Sequence, residues 1–226
     1  MTLVVVFPAS DGIVVGSDTQ LTRGSTRCQD FKIKVYSSNC LWVGSGEIHV
    51  IQRLEKEFKK NRRKKPIEVA RDDIGKTINE CIENLIELDL RSKYIGEDPV
   101  RLLSLHKLET IFAEYTNQAI IYHYFNTGIS EIIDRPFALG IGDDFAFAIL
   151  QKYEDVYKKF DVKKASILVY KILGEAIKVG AYGISLPIDL WIIDSNGARR
   201  VESVERNKII DQSVKLRNGE IKLLIP

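Results

Sequence analysis

Cysteine is scarce in this chain: Cys28, Cys40 and Cys81 are three among 226 residues and share no short spacing. An odd count without a CxxC pair argues against a disulfide framework and against a structural zinc site. Histidine is equally sparse, and His49, His106 and His123 do not stand in a triad-like context. There is no cluster of metal-ligating residue types, so no metal is expected. No glycine-rich phosphate loop occurs either, so no nucleotide cofactor is expected and any use of ATP would belong to a separate partner. An excess of one charge is also missing. Lys and Arg number 33 against 31 Asp and Glu, a net +2, which gives no bulk pull towards nucleic acid or membrane. No apolar run is long enough to span a bilayer. The opening MTLVVVFPASDG has neither the basic start nor the cleavage site of a signal peptide. A cytoplasmic protein is the expectation.

What is present is ordinary globular material, 45% hydrophobic and 28% charged, enough for one large domain. One basic run, Lys56 to Lys65 (KEFKKNRRKK), reads as the solvated end of a helix or as a binding patch. The first elements are strands. Leu3–Phe7, a turn at Asp11–Gly12 and Ile13–Ser17 make one hairpin. After a polar stretch, Thr19–Asp30, the runs Lys32–Tyr36 and Cys40–Gly44 flank a Ser/Asn turn and make a second. The period then changes. Ile48, Ile51, Leu54 and Phe58 fall three or four apart, which predicts a helix over Ile48–Lys60, and a second follows over Pro66–Lys93.

Strands return after Pro99, at Leu108–Tyr115, Ala119–Phe125 and Ile129–Ile133. Two more helices are predicted, over Phe145–Val156 and over Val162–Lys178 with Asp161 as N-cap. Ile188–Ile193, a turn at Asp194–Gly197 and short strands towards Pro226 close the chain. Runs of strands alternating with pairs of helices predict sheets packed on each other with helices outside. No linker, repeat or low-complexity segment divides the chain, so residues 1–226 read as a single domain.

Thr2–Leu3–Val4–Val5–Val6 followed by Asp11–Gly12–Ile13–Val14–Val15–Gly16–Ser17–Asp18 resembles the opening of proteasome β-subunits and their bacterial two-ring relatives. Thr22–Arg23–Gly24 fits the following loop, and Lys34–Val35–Tyr36 the next strand. Val43–Gly44–Ser45–Gly46 followed by Gln52–Arg53–Leu54 resembles the strand–glycine–helix step. Leu139–Gly140–Ile141–Gly142 resembles the later G-x-G before the third helix, and Pro187–Ile188–Asp189–Leu190 the strand start after it. The likeness runs through nearly the whole chain in order. It implies an α+β fold, the four-layer αββα sandwich of N-terminal-nucleophile (Ntn) hydrolases, with two antiparallel sheets between helix layers.

The resemblance also implies a chemistry. Thr2 would be the nucleophile and its own α-amine the base, with a reference pKa of about 7.7–8.0. The amine is free only if Met1 is removed. Lys34 would lie beside the Thr2 hydroxyl and favour its alkoxide, with Asp18 pairing to Lys34. The alternative for Asp18 and Lys34 is a plain ion pair within a sheet. Gly46 would offer its N–H to the oxyanion at a helix start, or merely permit the turn there. Leu21, Lys32, Gly44 and Ile48 would line the pocket for the side chain before the scissile bond. That lining implies a preference for large apolar or acidic side chains.

Two positions depart from the family pattern. Asp143 stands where the resemblance places a Ser, and Gly180–Ala181–Tyr182–Gly183–Ile184–Ser185 has no carboxylate where the family has an Asp–x–x–Ser. Asp143 therefore either caps the following helix or replaces the missing carboxylate. The implied activity is that of a threonine peptidase in a self-compartmentalising homo-oligomeric ring. Its substrate would be a peptide or unfolded protein, fed by a separate ATPase unfoldase where one is used. Transpeptidation or amide hydrolysis on the same fold is the second enzymatic reading. An inactive structural ring subunit is the third. A start directly at the first strand speaks against the α-type of subunit.

Overall fold

The computed structural model describes residues 2–23, 26–60, 65–92, 98–179 and 183–224. Among them the chain opens with β1 (Leu3–Ala9), β2 (Gly12–Asp18), the short hairpin β3 (Gln20–Arg23) and β4 (Thr26–Gln29), then β5 (Ile33–Ser37) and β6 (Cys40–Gly46). Three helices follow: α1 (Ile48–Lys60), α2 (Ile67–Ser92) and α3 (Pro99–Leu105). Next come β7 (Leu108–Tyr115), β8 (Ala119–Phe125), β9 (Ser130–Ile132) and β10 (Phe137–Gly140). The chain ends with α4 (Asp143–Leu150), α5 (Val162–Lys178), β11 (Ile188–Asp194), β12 (Gly197–Arg200) and α6 (Ser203–Leu224). One five-stranded sheet has the order β10-β1-β2-β11-β12 and the other β5-β6-β7-β8-β9. Every strand pairing in them is antiparallel. The class is α+β. No helix among the described residues is long and apolar enough to cross a membrane.

The apolar run in β1 is continuous because both of its faces are buried. Leu3, Val5 and Phe7 join Leu168, Val169 and Ile172 of α5 and Ala146 of α4. Val4 and Val6 turn the other way, into a cluster with Ile33, Leu41, Val43 and Ile111 of the second sheet. The second sheet repeats the arrangement. Its opposite face packs Trp42, Phe112 and Tyr124 against Leu54 and Phe58 of α1 and Ile74 and Ile78 of α2. Phe112 lies 5.3–6.0 Å, centroid to centroid, from Tyr36, Trp42, Phe58 and Tyr124. Each such contact adds roughly 0.5–1.5 kcal/mol beyond area burial.

The predicted α1, α5, β7 and β8 lie where periodicity puts them, and Asp161 caps α5 by accepting from the Lys164 N–H at 2.8 Å. Other segments differ. The C-terminal strands expected after Gly197 are β12 followed by the long helix α6. That helix buries chiefly Ile209 and Ser213 and is tied down by the Lys171–Glu220 and Arg199–Glu205 ion pairs. With so narrow an apolar face it has no clear helical period to read.

Strands do return after Pro99 with β7, but a short helix not expected from the sequence, α3, comes first: Pro99 begins it, where its missing N–H costs nothing, and Asp98 caps it by accepting from Val100 N–H at 3.0 Å. The third predicted long helix is α4, which starts at Asp143 and gives way after Leu150 to tighter turns. Those turns bring Tyr157 against Phe7, with its hydroxyl on the Asp134 carbonyl at 2.8 Å. The polar stretch Thr19–Asp30 holds β3 and β4, and the segment before Gly140 is the edge strand β10.

Candidate active site

Asp18 ends β2 with its side chain fully buried. Its Oδ1 accepts from the Leu3 N–H at 2.9 Å and from Lys32 Nζ at 2.7 Å, and its Oδ2 accepts from the Gln20 N–H at 2.9 Å. A carboxylate buried this deeply persists only when its oxygens are so occupied. Burial holds the Lys32 ammonium below the usual lysine range, an effect partly offset by Asp18 and Asp30.

The expected partner of Asp18 was Lys34, and here the structure gives a correction. Lys34 points instead to Glu55 of α1, 3.9 Å away. Residues two apart on an extended chain share a side, so the pattern fits either lysine, and the closer approach of Lys32 to the end of β2 decides between them. Lys32, expected as a pocket wall, is the lysine that pairs with Asp18.

Thr2 precedes β1, and its side chain is almost wholly enclosed. Its carbonyl accepts from the Ile141 N–H at 2.7 Å, just beyond β10. Gly140 passes so near that an added Cβ would stand 2.0 Å from the Thr2 oxygen, and its φ of +104° also demands glycine. Thr2 is thus tied through its carbonyl to the chain just beyond β10. Met1, and with it the question of a free α-amine, lies outside the described residues.

Gly46 has φ +140°, and a Cβ there would meet the Lys107 carbonyl at 2.1 Å. The neighbouring Glu47 donates its N–H to that same carbonyl at 2.9 Å. Bonded and non-bonded pairs alternate along an antiparallel ladder, so Gly46, opposite Leu108, turns its N–H away from β7. β5 pairs with β6 only as far as Val43, so on that other side Gly46 borders a pocket rather than a strand.

The pocket has a volume of about 240 Å³ and gathers Thr2, Lys32 and Gly46 at one site. Leu21, Gly44, Ile48 and Lys34 line it as well. Sequence reasoning missed Asp30, Ile51, Gln52 and Glu55. Three of these were within reach: positions 51, 52 and 55 follow Ile48 at the three- and four-residue spacing of one helix face. A larger cleft, about 350 Å³, opens between the β9–β10 connection and α4, but no Ser, Thr, Cys, Lys or His lines it.

Asp143 is the first residue of α4, with Gly142 in the cap position, and it accepts from the Asp144 N–H at 2.9 Å. It does not line the pocket. The segment 180–182 of the other departing region lies outside the described residues, as do Gly24 and positions 61–64 of the basic run. The histidines are elsewhere. His106 joins His49 at 3.0 Å and Asp89 at 2.8 Å, and His123 sits between Glu109 and Glu131 at 2.8 and 2.9 Å.

A second carboxylate steadies the segment that carries Lys32. Asp189, buried in β11, accepts from Arg200 Nε at 2.6 Å and from Trp191 Nε1 at 3.1 Å. The Arg200 guanidinium lies 3.7 Å from the centroid of Phe31, next to Lys32, and such a contact adds roughly 0.5–1 kcal/mol at an exposed site. A hydroxyl, an ammonium below its usual range and an outward N–H around one pocket are the parts that acyl transfer requires. The chain matches no protein-family model, and no curated protein matches it.

Proposed function

We propose that the chain is a single-domain Ntn hydrolase with the four-layer αββα architecture, acting as a threonine peptidase. The observation that carries this reading is the convergence of Thr2, the Asp18-bound Lys32 and the Gly46 N–H on one pocket. Two buried-faced antiparallel sheets with helices against their outer faces support the architecture.

In the proposed reaction the Thr2 hydroxyl attacks the scissile carbonyl carbon and its proton passes to the α-amine exposed by loss of Met1. Lys32 stabilises the developing alkoxide, and the Gly46 N–H donates to the oxyanion. Collapse expels the amine with that proton and leaves an ester on Thr2, which water then hydrolyses. Assembly into a homo-oligomeric ring, cytoplasmic location and supply of unfolded substrate by a separate ATPase belong to the same proposal through the resemblance.

The test is the intact mass of the native protein before and after a Thr-directed peptide epoxyketone. The expected result is loss of Met1 and a single adduct, absent in Thr2→Ala. Retained Met1 without an adduct would overturn the peptidase reading.

A further inference from the structure

The pocket has two chemically different ends. Thr2, Lys32 and Gly46 form the reacting end. Lys32 lies just before β5 and Lys34 is its second residue, two positions on, about 6.6 Å along extended backbone. Glu55 lies two helical turns beyond Ile48, about 10 Å along α1. Lys34, Gln52 and Glu55 therefore make up a far end, and Leu21, Ile48 and Ile51 line the way to it. The space between is kept open by Gly44, whose added Cβ would lie 3.2 Å from Ile51. A side chain entering here passes apolar walls first and meets polar groups last. That suits a long side chain with a methylene stem and a polar head.

The charge at the far end decides which head. Glu55 Oε1 is held by Lys59 at 2.7 Å, while its Oε2 stands 3.9 Å from Lys34, at the outer limit of an ion pair. Lys59, which stands outside the pocket lining, thus satisfies Glu55 at close range and leaves Lys34 as the less engaged charge of the far end. Gln52 adds a neutral amide, with donors of its own. The other carboxylate of the lining, Asp30, acts on Lys32 at the reacting end. Lys34 would gain a short charge-assisted hydrogen bond from an arriving carboxylate in exchange for a distant contact. An arriving ammonium would meet Lys34 as a like charge.

Resting on the peptidase reading, we propose that the pocket selects a glutamate side chain on the residue whose carbonyl Thr2 attacks, and that Lys34 is the residue that receives its carboxylate. The apolar walls accommodate either an apolar side chain or the methylene stem of an acidic one. The position of Lys34 selects the acidic one.

The test uses the full-length protein and four peptide epoxyketones that differ only in the final side chain: Glu, Gln, Leu and Arg. The rate of adduct formation on Thr2 is followed by mass. Glu is expected fastest, and about tenfold or more over Arg. Lys34→Met is expected to lower the Glu-to-Leu rate ratio about tenfold, while Lys34→Arg retains it. Glu55→Gln is expected to raise the ratio by removing the competing carboxylate. Faster labelling by Leu or Arg, or an unchanged ratio in Lys34→Met, overturns the selectivity while leaving the peptidase reading in place. No labelling by any probe overturns the peptidase reading and this proposal with it.

Discussion

Lys32, just before β5, and Lys34, inside it, stand two residues apart, and each faces a carboxylate, yet their surroundings differ. The Lys32–Asp18 pair is closed at 2.7 Å, with side-chain exposures of 7% and 0%. The Lys34–Glu55 pair is open at 3.9 Å, with exposures of 25% and 24%. In the first pair three donors hold the Asp18 oxygens, the Leu3 and Gln20 N–H groups and Lys32 Nζ, and burial keeps water from competing with them. In the second, water and Lys59 compete for Glu55, so the contact exchanges at little cost. Identical chemical groups thus become a fixed part and an exchangeable part through burial alone.

The contrast predicts unequal damage. Lys32→Met should reduce epoxyketone labelling of Thr2 by about a hundredfold. It should also lower stability by about 3 kcal/mol, the low end for breaking a buried pair, because Asp18 keeps its two N–H donors. Equal labelling rates in wild type and variant would erase the distinction between the two lysines. The same pair has a pH signature. The folded pKa of Lys32 lies below 10.5, so between those values the unfolded chain binds more protons. The stability contributed by this group therefore rises with pH through that window. A Lys32 titration by NMR with its midpoint at or above 10.5 would contradict the burial argument.

An intermediate effect is expected at the neighbouring turn. Gly46→Ala places a Cβ against the Lys107 carbonyl in a backbone region that suits glycine. It should cost about 1–3 kcal/mol in urea unfolding and slow labelling as well. The smallest effect falls on the open pair. Lys34→Met should change the unfolding free energy by less than about 1 kcal/mol. A loss comparable to that of Lys32→Met would show that the pair is not exchangeable.

Much of the frame was legible because its signals are local. The apolar run at Leu3–Phe7, the helical period of Ile48–Phe58 and the Asp161 cap each depend on residues near in sequence. The missed elements depend on something distant. The α6 helix is held to α5 partly through Lys171 and Glu220 rather than by a stripe of its own. β10 is a strand because β1 lies beside it. In the site, Thr2, Leu21, Gly44, Gly46 and Ile48, the residues that the resemblance singles out, lie around one pocket. The identity of the lysine was not legible, because a shift of two residues preserves strand parity and only the distance to β2 separates the candidates. The far end of the pocket was readable from the face of α1 but was not read.

The bond from Ile141 N–H to the Thr2 carbonyl joins residues separated by more than half the chain. During synthesis Thr2 is made long before the strand that fixes it. Chains fold progressively as they emerge, but β1 has only β2 beside it until β10 arrives. Thr2 therefore acquires its final setting late, after every strand of the second sheet but only two of the five in its own. A truncated chain ending before Phe137 would lack the strand that ties down the Thr2 carbonyl, so under the proposed function chain length itself would guard against premature activity.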